Sequence, residues 1–456
     1  MSGSAWLLMR FRRHISELIR LSYPIVISRA GILVMVMADV MMVGRYGSLD
    51  LAYLMIGTTL IIPLLITAVG LIMGTLVISA NSYGEEKFKE CGAAWRRSMP
   101  FSLLLGGMGI VIAMFGEEIL LLTGQSADMS LNGSHIMVVA AIGIPGHMMF
   151  VATSFFLEGI KRPLPGMVAM IIANIVNIVL NWCLIYGIGD IPEMGAMGAI
   201  WATSIARWTL GIVLVAYVWF MRDRDTFGIR EKPTGGWAAW KKQRQIGYAT
   251  GISVGVESTA FATMNLIAGQ LGAFDLAAFS IALNLLAVPF MMALGLGAAT
   301  AVRVGIAYGR KDYHDLPLAG WSGLILTSFV LGLVALAYFL IPDQFAALYT
   351  NDTELLPVAS MLLVIVAMAL VMDGGQAVMA NALRGRQDVW FPSAIQTFSY
   401  IGVMIPGSWI FVYYLDIGVA GLMYGILVAS VVSVVLLSLR FYFLHLGDHE
   451  RFNSQN

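Results

Sequence analysis

Gly44-Arg-Tyr-Gly-Ser-Leu-Asp-Leu-Ala52 returns 225 residues later as Gly269-Gln-Leu-Gly-Ala-Phe-Asp-Leu-Ala277, with five identities in nine positions. The match does not stand alone. Residues Ala68–Phe88 recur as Ala293–Tyr313 at the same offset, including Tyr83-Gly84 against Tyr308-Gly309. Leu157-Glu-Gly159 pairs with Leu383-Arg-Gly385 at an offset of 226, and Gly195-Ala-Met-Gly198 with Gly418-Val-Ala-Gly421 at 223. A near-constant offset across four blocks is the signature of an internal duplication. The chain therefore reads as two copies of one unit.

Composition says what kind of unit. The 456 residues are 59% hydrophobic and 12% charged, where soluble domains average about 25% charged. Mean hydropathy is +0.82. This is a polytopic membrane protein. A spanning helix needs roughly 20 apolar residues, and twelve candidates meet that requirement: 16–43, 51–80, 98–121, 132–157, 165–187, 195–220, 245–270, 276–305, 318–341, 355–382, 390–414 and 418–443. Twelve divides into six and six, giving an N-terminal lobe (1–220), a linker (221–244, with Pro233-Thr-Gly-Gly236) and a C-terminal lobe (245–456). Six is even, so both halves enter from the same side and form parallel repeats. Two halves around a central cavity are the usual plan of a transporter with alternating access.

Orientation follows from Lys and Arg. The N-terminal arm carries Arg10, Arg12, Arg13 and Arg20. Loop 221–244 carries Arg222, Arg224, Arg230, Lys232, Lys241, Lys242 and Arg244. Lys87, Lys89, Arg96, Arg97, Lys161, Arg162, Arg310, Lys311, Arg384, Arg386, Arg440 and Arg451 mark the same side. The alternate loops are acidic and hold one basic residue, Arg45. Both termini are therefore expected in the cytoplasm of a multi-pass cell-membrane protein, the inner membrane if the source is bacterial. No short apolar run with a small-residue cleavage site suggests a removable signal peptide. Cys91 falls in a loop and Cys183 in a helix, so no disulfide is expected.

Polar groups inside apolar spans are expensive and usually functional. Asp39 lies in the outer half of the first span. Asn174, Asn177 and Asn181 share one face of the fifth, spaced i, i+3, i+7. At 1.5 Å per residue, Asn177 and Asn181 rise roughly 18–24 Å from the cytoplasmic end, and Thr203 lies about 12 Å down the sixth span from the other side. One carboxylate with two amide carbonyls and a hydroxyl is a hard-oxygen set. It suits Na⁺ or a hydrogen-bonded, titrating Asp39; the alternative is plain interhelical hydrogen bonding. In the second half, Glu257 and Asp373 both fall near the midplane, about 16–18 Å from the cytoplasmic side. A buried acid pair of this kind can take up H⁺ or Na⁺; the alternative, for Glu257 more than for Asp373, is an ion pair with Arg303. Gln376, one turn beyond Asp373, offers a neutral contact. The duplication pairs Asp373 with His147, which reads as a satisfied core histidine, so the acid belongs to one half only. Arg29 reads as a snorkelling or packing residue.

Other chemistries are absent. No Gly-x-x-x-x-Gly-Lys-Ser/Thr indicates ATP hydrolysis. No His-Glu-x-x-His and no cysteine pair at metal-ligand spacing occurs. No nucleophile–base pair suggests an enzyme. The basic stretches suit anionic lipid, not nucleic acid.

Several stretches together resemble the multidrug and toxic compound extrusion (MATE) transporters, in particular the NorM-like branch. They are Pro24 with Asp39 and Val43-Gly44; Asn177-Ile-Val-Leu-Asn-Trp182, Pro192-Glu193 and Ala202-Thr203; Glu257, Ala282-Leu-Asn284 and Arg303-Val-Gly305; and Asp373-x-x-Gln376, Leu383-Arg-Gly385 and Asp388. The resemblance covers essentially the whole chain. It implies a V-shaped twelve-helix fold and cation-coupled export of organic cations and other amphipathic drugs. It carries ion-coupling roles onto Asp39, Glu257 and Asp373 and supporting roles onto Asn177, Asn181 and Thr203. Asp39, Glu257, Asp373 and Gln376 are the expected drug contacts. The protein is expected to act as a monomer without a cofactor. Its coupling ion is Na⁺ or H⁺, with a slight preference for Na⁺. One departure is Ala249, where many relatives have proline, which puts the bend of that helix in question. The competing reading is a flippase for a lipid-linked oligosaccharide. That would need several basic residues inside the membrane, where only Arg29, Arg207 and Arg303 are found. A sugar porter of the major facilitator type would carry a Gly-x-x-x-Asp-Arg-like loop in place of Asn81-Ser-Tyr-Gly-Glu-Glu-Lys-Phe-Lys89.

Overall fold

The computed structural model describes residues 3–190, 192–232 and 236–453, and side chains for 10–190, 192–232 and 236–447. Pro233-Thr-Gly of the linker and the side chain of Arg451 lie outside these described residues. Among the described residues twelve long helices follow one another: α1 (Gly3–Tyr46), α2 (Ser48–Gly84), α3 (Phe88–Met114), α4 (Ala127–Gly159), α5 (Leu164–Tyr186), α6 (Gly195–Phe220), α7 (Lys241–Leu271), α8 (Ala273–Gly309), α9 (Asp315–Leu340), α10 (Leu355–Gly385), α11 (Trp390–Tyr414) and α12 (Ala420–Asn453). Among the described residues there is no β-strand. The protein is an all-α polytopic membrane protein. Hydrocarbon offers backbone groups no partner, so each crossing must satisfy its own by helix hydrogen bonds.

Eleven of these helices are long and apolar enough to cross a membrane. The exception is α7. Its 31 residues are long enough, but Thr250, Ser253, Glu257, Thr259, Thr263 and Asn265 dilute its apolar character. Much of that polarity is absorbed locally. The hydroxyls of Thr250, Thr259 and Thr263 each donate to the carbonyl four residues earlier.

Two helices are interrupted: α2 at Leu60 and Met73, and α4 at Gly143. In α11 the stretches Phe398–Met404 and Ile410–Tyr414 widen into π-helix. The chain forms two compact units. One runs from Ile27 to Gly251; the other joins the described residues up to Val26 with those from Ile252 onward. Their boundaries fall inside α1 and α7.

The duplication is visible in the backbone. Glu86 and Lys311, 225 apart, both take a left-handed conformation (φ 61° and 58°), as do Lys161 and Gln387, 226 apart (φ 62° and 67°). The next amide then reaches back five residues: Lys87 to Ser82 and Asp312 to Ala307, Arg162 to Leu157 and Asp388 to Leu383. These are paired Schellman-type helix ends. Packing repeats as well. A Cβ on Gly159 would meet the Leu76 carbonyl, and one on Gly385 the Ala301 carbonyl, again 225 residues on. Only glycine lets α4 lie this close to α2, and α10 to α8. In the Ile27–Gly251 unit, Phe150, Phe156 and Met148 of α4 are fully buried. In the other unit α10 is central, flanked by α8, α9 and α12.

Candidate functional site

Each unit buries its own acidic cluster. In the first, Asp39 on α1 is 6% exposed. Asn181 Nδ2 on α5 donates to its Oδ1 at 2.7 Å, and Asn177 Nδ2, one turn away, donates to the same oxygen at 3.1 Å. The Thr203 hydroxyl on α6 donates to Oδ2. Asn177 Nδ2 also donates to Thr203 Oγ1 (3.0 Å), and Asn181 Nδ2 to Asn177 Oδ1 (3.3 Å). The four residues expected at one depth are thus brought together, and Asn177 and Asn181 are fully buried.

The polarity of that cluster differs from the expected hard-oxygen set. The amides turn their nitrogens, not their carbonyls, to the carboxylate, because an ionised carboxylate is an acceptor only. The carbonyl of Asn181 is left buried without a hydrogen-bond partner. Asn174, on the same helix face, belongs to packing: it donates to the carbonyls of Gly31 and Met170.

Asp39 borders a cavity of about 130 Å³ whose lining includes His147, Met170, Thr203 and Arg207. That is room for several waters. His147 is not a satisfied core histidine: it is 4% exposed, and its Nε2 has no hydrogen-bond partner. Arg207 donates only weakly, to the Ala140 carbonyl at 3.4 Å, and its charge faces Asp39. Arg29 is a packing residue. It turns inward, 3.5 Å from Glu158 Oε1 and over the Phe155 ring at 5.3 Å. Glu158 is 2% exposed and also accepts from Ser154 at 2.8 Å.

In the second unit, Asp373 on α10 is 2% exposed. Its Oδ1 accepts from Ser430 on α12 at 3.1 Å and from Gln376 at 3.3 Å. Gln376 Nε2 also donates to the Tyr400 hydroxyl at 2.9 Å, and Tyr400 hydrogen-bonds Glu257 on α7. Gln376 Oε1 accepts from Gln396 at 2.9 Å and from Ser433 at 3.2 Å. Both ends of the Gln376 amide are engaged, and it connects Asp373 to Tyr400 and Gln396. Gln396 Oε1 in turn accepts from Arg384 at 2.7 Å and from Ser253. One polar chain therefore runs from Asp373 and Glu257 to Arg384. Arg303 is not the partner of Glu257. It pairs with Glu17 and lies 2.7 Å from His14 Nδ1.

The sequence reading missed Tyr400, Gln396, Ser430, Ser433, Ser253 and Arg384. Two signals were available. Gln396 is an amide within an apolar span, and Ser430 and Ser433 share a face at i, i+3. Cys91 and Cys183 are both free. Among the described residues no three His, Cys, Asp or Glu side chains converge as a metal site.

Residues 24–183 and 249–410 match the family model described as MatE. The chain is similar to a probable multidrug resistance protein NorM of Caulobacter vibrioides, 34% identical over 95% of this chain and 92% of the relative. A second probable multidrug resistance protein NorM, from Acinetobacter baylyi, is 26% identical over 95% of this chain and 96% of the relative. Among solved structures, the eukaryotic MATE transporter AtDTX14 superposes with a TM-score of 0.86 at 20% identity, over 97% of this chain and 99% of that one. An outward-facing multidrug resistance MATE family transporter of the MOP superfamily gives 0.88 at 20% identity, over 96% and 97%. At such identities the structural likeness establishes the fold.

Proposed function

The chain belongs to the MatE family, and on that premise we propose that it is a secondary active multidrug efflux antiporter. It exports organic cations and other amphipathic drugs in exchange for Na⁺ or H⁺. The reading is supported by the names of its relatives, multidrug resistance proteins that cover nearly the whole chain. The observation that carries the coupling is the burial of Asp39 and Asp373, 6% and 2% exposed, in polar clusters within apolar helices. Carboxylates are retained in such surroundings when they do work there.

The proposed cycle uses the six-helix lobes 1–220 and 245–456, joined by the linker 221–244, with both termini cytoplasmic and one chain as the working unit. Asp39, Glu257 and Asp373 take a cation from the outer side. Its inward movement drives drug outward through alternating access between the lobes. Asn177, Asn181 and Thr203 orient Asp39, and Gln376 orients Asp373. Coupling requires that ion and drug favour different states. A ligand with equal affinity for both shifts nothing.

Efflux of a cationic dye from proteoliposomes tests this, with a Na⁺ gradient and a pH gradient imposed separately. One of them should accelerate export. Equal rates with and without either gradient would sink the reading.

A further inference from the structure

The buried cation at the end of the second acidic cluster is matched by no cation at the equivalent position of the first. Arg384 sits in the last turn of α10 and is 5% exposed. It donates to Gln396 Oε1 at 2.7 Å and to Ser253 Oγ at 3.4 Å, both neutral groups. Its foremost electrostatic partner is Glu257. Ser253 lies one helical turn before Glu257, a rise of about 6 Å, so guanidinium and carboxylate are separated by no more than on the order of 10 Å. The duplication places Glu158 where Arg384 stands, and there the charge is closed locally by Arg29 at 3.5 Å.

Charges can then be counted. In the first unit, Asp39 and Glu158 are matched by Arg207 and Arg29. In the second, Glu257 faces Arg384, while the hydrogen-bond partners of Asp373 among the described residues, Ser430 and Gln376, are neutral, which leaves one negative charge. A site of net charge −1 is neutralised by one monovalent cation. Without the guanidinium the same oxygens would carry −2, which suits a hard divalent ion such as Ca²⁺ or Mg²⁺.

We propose that Arg384 is a specificity-determining positioning residue: held off the acids by Gln396 and Ser253, it restricts the Glu257/Asp373 pair to one monovalent cation and excludes divalent ions. This rests on cation capture by that pair, the reading proposed above. Tyr400 is the other titratable group beside the acids and stays neutral in this count.

The test measures binding of Na⁺, Ca²⁺ and Mg²⁺ by titration calorimetry on purified protein in an Asp39→Asn background, which silences the first acid. The background protein should bind no divalent ion. Arg384→Gln should gain Ca²⁺ or Mg²⁺ affinity by on the order of a hundredfold, the effect of removing a unit charge about 10 Å from a divalent ion at an effective dielectric near 20. Arg384→Lys, which keeps the charge, should behave as the background does. A structural role would not create divalent affinity. Equal divalent binding by background and Arg384→Gln would overturn the proposal, as would Arg384→Lys behaving like Arg384→Gln. If Arg384→Gln fails to fold, Glu257→Gln/Arg384→Gln restores net −1 and should exclude divalents; divalent binding by that double variant, or its failure to fold as well, would also overturn it. The readout needs no transport. Absent gradient-driven efflux by the wild type would therefore count against the antiporter reading separately.

Discussion

Asn181 donates its amide nitrogen to Asp39 Oδ1 at 2.7 Å, although 142 positions separate the two in the chain. The bond joins α5 to α1 at full burial. Asn181→Ala removes the shorter of the two amide donors to that oxygen. Stability should fall by ~0.5–2 kcal/mol, the span for interhelical hydrogen bonds in membranes, and efflux should weaken. Asn181→Asp sets a second carboxylate against the first and should be worse than alanine. Thermal unfolding of the detergent-solubilised variants gives the order; a reversed order would mean the amide does not face the acid.

Asp373→Asn keeps the shape of the side chain and an oxygen to accept from Ser430 and Gln376. Insertion, monodispersity and thermal midpoint should therefore stay near wild type, while gradient-driven efflux is abolished. Proteoliposome transport alongside size-exclusion chromatography separates the two effects. Full transport by this variant would remove Asp373 from the coupling mechanism.

Gly211 lets α6 touch the interrupted α4. A Cβ there would run into the backbone carbonyl of Gly146, and neither backbone can move aside as a side chain would. Gly211→Ala should destabilise by about 1–3 kcal/mol, as overpacked cores do. Gly107→Ala, where a Cβ meets nothing within 4 Å, is the control and should be neutral or slightly stabilising. Matched thermal melts test the contrast.

An ion pair outside the membrane-spanning helices titrates in a predictable direction. Arg162 NH1 donates to Asp223 Oδ1 at 3.0 Å and NH2 to Oδ2, which holds the Asp223 carboxyl below the usual carboxylate range. A depressed folded-state pKa stabilises above the unfolded value, about 3.9, and that contribution disappears as pH falls through the folded value. The pair is about one-third exposed, so its contribution is below ~1 kcal/mol. Asp223→Asn should lower the melting temperature slightly at pH 7, and the gap should close below about pH 4. A gap that persists unchanged to pH 3 would assign the effect to shape rather than charge.

The helices were legible because their cause is local. An apolar run of sufficient length must be helical in hydrocarbon, whatever its neighbours do. The duplication was legible for the same reason, since residues such as Gly159 and Gly385 recur wherever the same close approach recurs. The polarity of α7 marks the limit of the rule. Glu257 and the hydroxyls around it keep α7 below the apolar threshold that the other long helices pass.

The site was legible only in part. Asp39, Glu257 and Asp373 announce themselves, because a carboxylate in an apolar span needs a reason. Spacing also put Asn177 and Asn181 on one face. Spacing could not say which end of each amide faces the acid, nor that Asn174, on that same face, serves helix packing. Nor could it find Tyr400 or Gln396, which are unremarkable until α11 is laid beside α10.

By itself, then, the sequence determined a twelve-helix duplicated membrane protein and the acids placed inside its apolar helices. Both follow from transfer free energies that each segment meets alone. The tertiary structure decided the partners: Arg303 with Glu17, Arg29 with Glu158, and Arg384 bridged toward Glu257 through neutral groups. Hydrogen bonds and charges act over a few ångströms between residues up to hundreds of positions apart, and only packing brings such residues within range.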